Sequence, residues 1–323
     1  MLIDAGSGTY SQLVRLFGIE GTNKRLLNLR AIWISHKHAD HCQGIIQILL
    51  QLKKLYSQEN INIDLSSRLK VKEYECEACK IKYEHDTSHR MHYPIHHQFN
   101  YDWNREISNC GETLKSTNDI HPILIIGPMW INDIINDTLG IDEVDYRIID
   151  AQDLTTENHP LNNYFKSELN ISKIIGVPMI HSYPTYGLVL ESNDWKFSYS
   201  ADSSPCSSFA NEAKNSTLMV HECTFDDAVK ERANLTRHST VSGALQIAKE
   251  ANAKYIALTH FSTRFSRASF PIINDEYFKE HPDLQDLENR IIPAFDFMRL
   301  SINNNDLSLV GNKYFDLSKL DLA

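Results

Sequence analysis

Apolar runs recur along the chain, and almost every one ends in a polar loop. Leu2-Ile3-Asp4-Ala5-Gly6-Ser7-Gly8-Thr9 reads as a strand entering a glycine turn, and Tyr10 to Phe17 as a short helix. Leu27 to Arg30 leads into a strand over Ala31–Ser35. Gly44 closes the loop that follows, and the spacing of Ile45 to Tyr56 predicts a half-buried helix. Pro122 to Gly127 has the continuous apolar character of a buried strand. A helix is expected over Met129 to Leu139 and a strand over Tyr146–Ile149. Leu169 to Met179 leads to His181, and an apolar run over 186–190 follows. Trp195–Tyr199, Leu218–Val220 and Tyr255–Thr259 are further strands. A helix over Val241 to Ala251 follows Arg237-His238-Ser239-Thr240, and Ser239 or Thr240 can cap it. From about Ser57 to His121 the periodicity fades, while charged, aromatic and histidine residues crowd in. That stretch is expected to be an insertion into the domain. No tandem repeat is present, and no run approaches the roughly 20 apolar residues of a membrane span. Because the first residues already read as strand, further sequence is expected upstream of Met1.

Composition narrows the picture. The 323 residues carry a net charge of −10, and 42% are hydrophobic, enough for a substantial core. A non-specific nucleic-acid binder is usually basic, so composition argues against that role, although a local basic patch would suffice for a specific one. The cysteines at 42, 76, 79, 110, 206 and 223 form no regular framework, and no signal peptide is visible, which points to a reducing compartment.

The chemistry sits where the strands end. Ser35-His36-Lys37-His38-Ala39-Asp40-His41 places three histidines and an aspartate directly after a strand. Imidazole nitrogen and carboxylate oxygen are the donors zinc takes when one coordination position must stay open. His36 and His38 are expected to share one metal, and Asp40 and His41 a second. Four other strand ends carry His181, Asp202, His221-Glu222 and His260. A lone histidine at a strand end is usually a satisfied polar residue, but loops at one end of the strands of a layered α/β fold converge on a single site. Asp4 could buttress a metal-bound histidine through its ring N–H; a turn-forming aspartate is the equal alternative. Within the insertion, Cys76-x2-Cys79-x12-His92-x3-His96 has the spacing of a two-cysteine, two-histidine zinc finger. His89 and Pro94 depart from that pattern, and a His-rich loop without metal is the alternative.

The motifs LIDAGSGT (2–9), SHKHADH (35–41), His181 with Tyr186-Gly187, YSADS (199–203), HECT (221–224), HST (238–240) and HFSTRF (260–265) together resemble tRNase Z. This is a tRNA 3′-processing endoribonuclease of the metallo-β-lactamase superfamily, and the likeness is to the carboxy-terminal half of its long form. The resemblance implies an α/β fold, the metallo-β-lactamase αββα four-layer sandwich, spanning 1–323 with its amino-terminal strands missing and the insertion at 57–121. It implies one zinc on His36, His38 and His181, a second on Asp40, His41 and His260, and Asp202 bridging them. Asp40, His238 and Glu222 become the catalytic residues: Asp40 orients the attacking water, and His238, held by Glu222, gives a proton to the departing 3′ oxygen. The substrate would be precursor tRNA, with a homodimer or a missing amino-terminal half as further partner, and the location nucleus, mitochondrion or cytoplasm. Lys24, Arg25, Arg30, Lys37, Arg237, Arg264 and Arg267 are the basic residues expected near the site. Two other readings stand beside this one: another hydrolase of the same fold acting on a phosphodiester or thioester, and a non-catalytic RNA-binding remnant.

Overall fold

A computed structural model describes residues 1–58, 123–139, 146–155, 161–262, 273, 275–303 and 306–309, with the backbone of two further strands inside 59–122. Two sheets form the frame. The first has strand order β1 (Leu2–Ile3), β2 (Ala31–Trp33), β5 (Ile123–Gly127), β6 (Tyr146–Asp150), all parallel. The second has six strands: β7 (Lys173–Pro178), β8 (Tyr186–Glu191), β9 (Lys196–Tyr199), β10 (Leu218–Glu222), β11 (Tyr255–Thr259) and β12 (Ile291–Pro293), lying side by side in sequence order. β7, β8 and β9 pair antiparallel, whereas β9 to β12 pair parallel. The short pairs β3 (Tyr74–Glu75) with β4 (Lys82–Tyr83) and β13 (Leu300–Asn303) with β14 (Asp306–Leu309) lie outside both sheets.

Side-chain alternation builds four layers. Along β2 and β5, Ile32, Ile34, Ile123 and Ile125 face helices α1 (Thr9–Leu27), α3 (Ile45–Gln58) and α4 (Trp130–Leu139). Ala31, Trp33, Leu124 and Ile126 point the other way and meet Ile174, Leu188 and Leu190 of the second sheet. The far face of that sheet, with Ile175, Val177 and Val189, packs on α6 (Ser207–Glu212), α8 (Val241–Glu250) and α9 (Asp275–Glu280) through Phe209, Ala244, Leu245 and Phe278. Strands covered on both faces read as unbroken apolar runs, as Ile123 to Gly127 does. The expected αββα sandwich is therefore what the chain adopts. No helix among the described residues is long and apolar enough to cross a membrane.

Several expectations need correction. The first helix runs to Leu27, well beyond Phe17, with its axis broken at Gly18, whose left-handed φ of 69° a side chain would resist. Residues 39–42, read as loop, form the single-turn helix α2. The short helices α5 (Leu161–Leu169), α6 and α7 (Lys230–Thr236) had no sequence signal strong enough to register. The expected insertion, with Cys76, Cys79, His92 and His96, lies outside the described residues apart from Ser57–Gln58 at the end of α3 and the backbone of β3 and β4; Arg264 and Arg267 lie outside them too.

Candidate metal centre

The strand ends do meet. β1, β2, β7, β9, β10 and β11 deliver Asp4, His36 to His41, His181, Asp202, Glu222 and His260 to one edge of the sandwich. The backbone N–H of Tyr186 donates to the Ser35 carbonyl at 3.1 Å, tying the second sheet to the metal loop of the first. The loop at 36–41 is held against the β1 turn by Ala5 N–H on the His41 carbonyl and Gly44 N–H on the Ala5 carbonyl, both at 2.7 Å. Glycine is required here. A Cβ on Gly6 would sit 2.0 Å from the Asp40 carbonyl oxygen, and one on Gly44 2.1 Å from that of Gly6.

Within this edge, ligand atoms of His36, His38, His181 and Asp202 lie within 4.8 Å of one another, and so do those of Asp40, His41 and His260. Asp202 joins the two groups. Its Oδ2 is 3.6 Å from His36 Nε2 and 3.8 Å from His181 Nε2, while its Oδ1 is 3.3 Å from His41 Nε2 and 3.5 Å from His260 Nε2. Asp40 Oδ2 lies 3.6 Å from His41 Nε2 and 3.4 Å from His260 Nε2. Donors bonded tetrahedrally at about 2.0–2.1 Å to one ion stand about 3.3–3.4 Å apart, so these separations suit a shared cation. Among the described residues His41 Nε2 is buried with no hydrogen-bond partner, an orphan that a cation would satisfy. The donor set fits two divalent ions, with Asp202 between them.

The outward-facing nitrogens are fixed. His36 Nδ1 is 3.0 Å from Ser35 Oγ, His41 Nδ1 is 2.7 Å from Asp4 Oδ2, His181 Nδ1 is 3.1 Å from the Arg237 carbonyl, and His260 Nδ1 is 2.7 Å from Thr224 Oγ1. Such contacts set the tautomer and aim of a metal-binding imidazole. Asp4 holds His41 as expected and does more: it accepts from Ser35 N–H, from Ser35 Oγ and from the Tyr199 hydroxyl, each at 2.7 Å. Tyr199, Thr224 and the Arg237 carbonyl were not foreseen. Tyr199 did stand at a strand end beside Asp202, but its reach to Asp4 depends on how the sheets stack.

Charges follow from these surroundings. Burial and the neighbouring His41 pull His36 down to about 2, which keeps its imidazole neutral and able to ligate. Burial also pulls His41 down, but the Asp202 carboxylate beside Nε2 and the Asp4 carboxylate on Nδ1 outweigh it and raise the ring to about 10. Burial pushes Asp202 up, yet the neighbouring rings of His41 and His260 reverse that and hold its carboxyl well below the usual range.

Beside the cluster lies a second pair. Glu222, 1% exposed, accepts His238 Nδ1 at 2.7 Å and Ser203 N–H at 2.8 Å on Oε1. Its Oε2 takes Thr224 N–H, Thr224 Oγ1 and Ser239 N–H at 3.1, 2.6 and 3.1 Å. Five bonds compensate a buried carboxylate. Burial lowers His238, but Glu222 more than reverses it and the imidazole is raised overall. A ring nitrogen of His238 also falls within 4.8 Å of ligand atoms of Asp202 and His260. Thr240 caps α8, accepting from Gly243 N–H. His221 does not join the site: its Nδ1 meets the Glu222 carbonyl and its ring packs near Phe209. Of the basic residues expected nearby, Arg30 pairs with Glu168 and Arg25 lies over Phe17, so neither is directed at the cluster; Arg237 donates to the His181 carbonyl at 2.8 Å.

No family model matches the chain. It is 30% identical to ribonuclease Z 1 of Schizosaccharomyces pombe, covering 98% of this chain and 31% of that protein. It is 25% identical to a mitochondrial tRNase Z of Arabidopsis thaliana, covering 96% and 32%. The chain thus spans about a third of the length of these curated relatives. Among solved structures, a long-form RNase Z from yeast superposes with a TM-score of 0.63 at 19% identity, covering 91% of this chain and 35% of that one. The human short-form tRNase Z gives 0.56 at 18%, covering 93% and 87%. The chain is a homologue of the tRNase Z and ribonuclease Z proteins, built on the metallo-β-lactamase fold.

Proposed function

We propose that this chain is a zinc-dependent endoribonuclease that removes the 3′ trailer from precursor tRNA, leaving a tRNA 3′-OH and a trailer with a 5′-phosphate. The observation that carries the reading is the division of Asp202, one oxygen toward His36 and His181 and the other toward His41 and His260, with the His238–Glu222 pair set against it. Relatives whose names are ribonuclease Z, tRNase Z and zinc phosphodiesterase support it. In this reading His36, His38 and His181 hold one zinc and Asp40, His41 and His260 the other. Bound there, the ions supply Lewis acidity, acidifying water and neutralising charge that builds on phosphoryl oxygens. Asp40, with 65% of its side chain exposed, orients the attacking water and takes its proton. His238 keeps Nδ1 on Glu222 and gives a proton from Nε2 to the 3′ oxygen as the P–O3′ bond breaks and the water oxygen bonds to phosphorus. The thiolate of a thioester leaves readily without a proton, whereas a ribose 3′ oxygen needs one, so a positioned donor favours the phosphodiester.

Precursor tRNA is the substrate in this reading, and a second copy of the chain is its candidate partner in gripping it. Mitochondrion or nucleus is the proposed location. The reading keeps the insertion expected at 57–121, in which Cys76, Cys79, His92 and His96 would be the ligands of a structural zinc, with a His-rich loop without metal as the alternative. The test combines metal analysis with a cleavage assay. About two zinc ions per chain, or three if the insertion holds one, should accompany trailer release from a precursor tRNA, with little turnover of a glutathione thioester. Asp202→Ala should abolish cleavage; full zinc with unimpaired turnover in that variant would overturn the assignment.

A further inference from the structure

One flank of the metal centre carries an aromatic side chain that the chemistry above does not use. Tyr183 lies two residues after His181 and is 86% exposed, and its loop neighbour Ile180 is 50% exposed. The loop that carries them is tethered on every side. Met179 N–H donates to the Thr185 carbonyl at 2.9 Å, Ile180 N–H to Ser203 Oγ at 3.1 Å, and Ser204 N–H to the Ile180 carbonyl at 3.0 Å. Arg237 Nη1 donates to the His181 carbonyl at 2.8 Å, and Thr185 Oγ1 donates to the Ser182 carbonyl. A ring held out in water by so firmly placed a backbone gains nothing from packing, and little freedom is left to lose when a flat partner covers it. On this side burial, with Asp150, Tyr183 itself and Asp153 after it, raises the phenol of Tyr186, so the aromatic flank stays uncharged. What it can accept is the neutral face of a base. Beside the loop, exposed Arg237 has one of its five N–H donors on His181, leaving others for a phosphate oxygen.

We propose that Tyr183 is a stacking platform for an unpaired nucleobase next to the scissile phosphate, with Arg237 placed for the adjoining phosphate. The proposal rests on the endoribonuclease reading and names the part of the RNA that this flank takes. Stacking on an aromatic side chain is sequence-tolerant and contributes about 1–3 kcal/mol per base, or roughly 5- to 150-fold in affinity.

The experiment compares the full zinc-loaded chain with Tyr183→Ala, Tyr183→Phe and Tyr183→Trp. Tyr183→Ala should raise KM for a precursor tRNA at least fivefold, while zinc content and turnover of bis-p-nitrophenyl phosphate stay unchanged. Tyr183→Phe should behave like the parent. The added indole of Tyr183→Trp should be quenched by a short oligoadenylate, above the change in the parent's own tryptophans. An unchanged KM in Tyr183→Ala, an equal loss on the small phosphodiester, or an unquenched indole would each overturn the base site. Trailer cleavage by the parent alongside any of these leaves the endoribonuclease reading intact. Quenching in a chain that cleaves no precursor tRNA overturns that reading and leaves the base site standing.

Discussion

At the scale of single residues, the centre works through shared anions. Asp4 links Ser35, His41 and Tyr199, although its own φ of 53° puts it in the left-handed region; Ala201 and His260 are there too, at 54° and 62°. Non-glycine residues in that region cost of order 1–3 kcal/mol each and persist where surrounding bonds hold them. Tyr199→Phe removes one donor from Asp4 without altering the core, so His41 should be less well aimed. Zinc affinity should drop by the 10- to 100-fold typical of lost outer contacts, read by competition with a chelator while far-ultraviolet circular dichroism is unchanged. His238→Ala should slow trailer cleavage by roughly 10²–10⁴ with both zinc ions retained, measured in single-turnover assays. The site was legible in the sequence because histidine and aspartate recur at several strand ends, where one alone would pass for a satisfied polar residue. Tyr199 and Thr224 were not, since an ordinary hydroxyl acquires its role only when β9 and the loop after β10 are set against their neighbours.

At the scale of elements, rigidity comes from strands and precision from turns. The β1 turn and the metal loop lie so close that Gly6 tolerates no side chain. Gly6→Ala should cost about the 1–3 kcal/mol of an overpacked site and displace Asp40. A lower denaturant midpoint together with weaker zinc binding would show both effects, whereas a lower midpoint alone would place the strain elsewhere. Strongly patterned elements were visible beforehand: α3, α4, α8 and the strands β2, β5, β6, β8, β9, β10 and β11 fall within two residues or so of their expected bounds, whereas β12 carried no expectation. The second half of α1 was hidden by Gly18 and Gly21. α7 was hidden because seven mostly polar residues, KERANLT, present too few apolar positions to show a period. Yet α7 matters, for its end at Arg237, left-handed at φ 58°, turns the chain so that His238 meets Glu222.

At the scale of the whole molecule, the four layers follow from doubly apolar strands, and the order of motifs in the sequence already implied them. What the sequence could not show is how the two sheets share the site. His36, His38, Asp40 and His41 come from the first sheet, and His181, Asp202 and His260 from the second. A ligand bound only by the folded state stabilises it by mass action. Dialysis against a chelator should therefore lower the melting temperature, and zinc should restore it. Cations held there would rivet the seam of the sandwich. Their gain should appear in hydrogen exchange as joint slowing of the β2 and β5 amides with those of β9, β10 and β11, because neither sheet can open without releasing what the other holds.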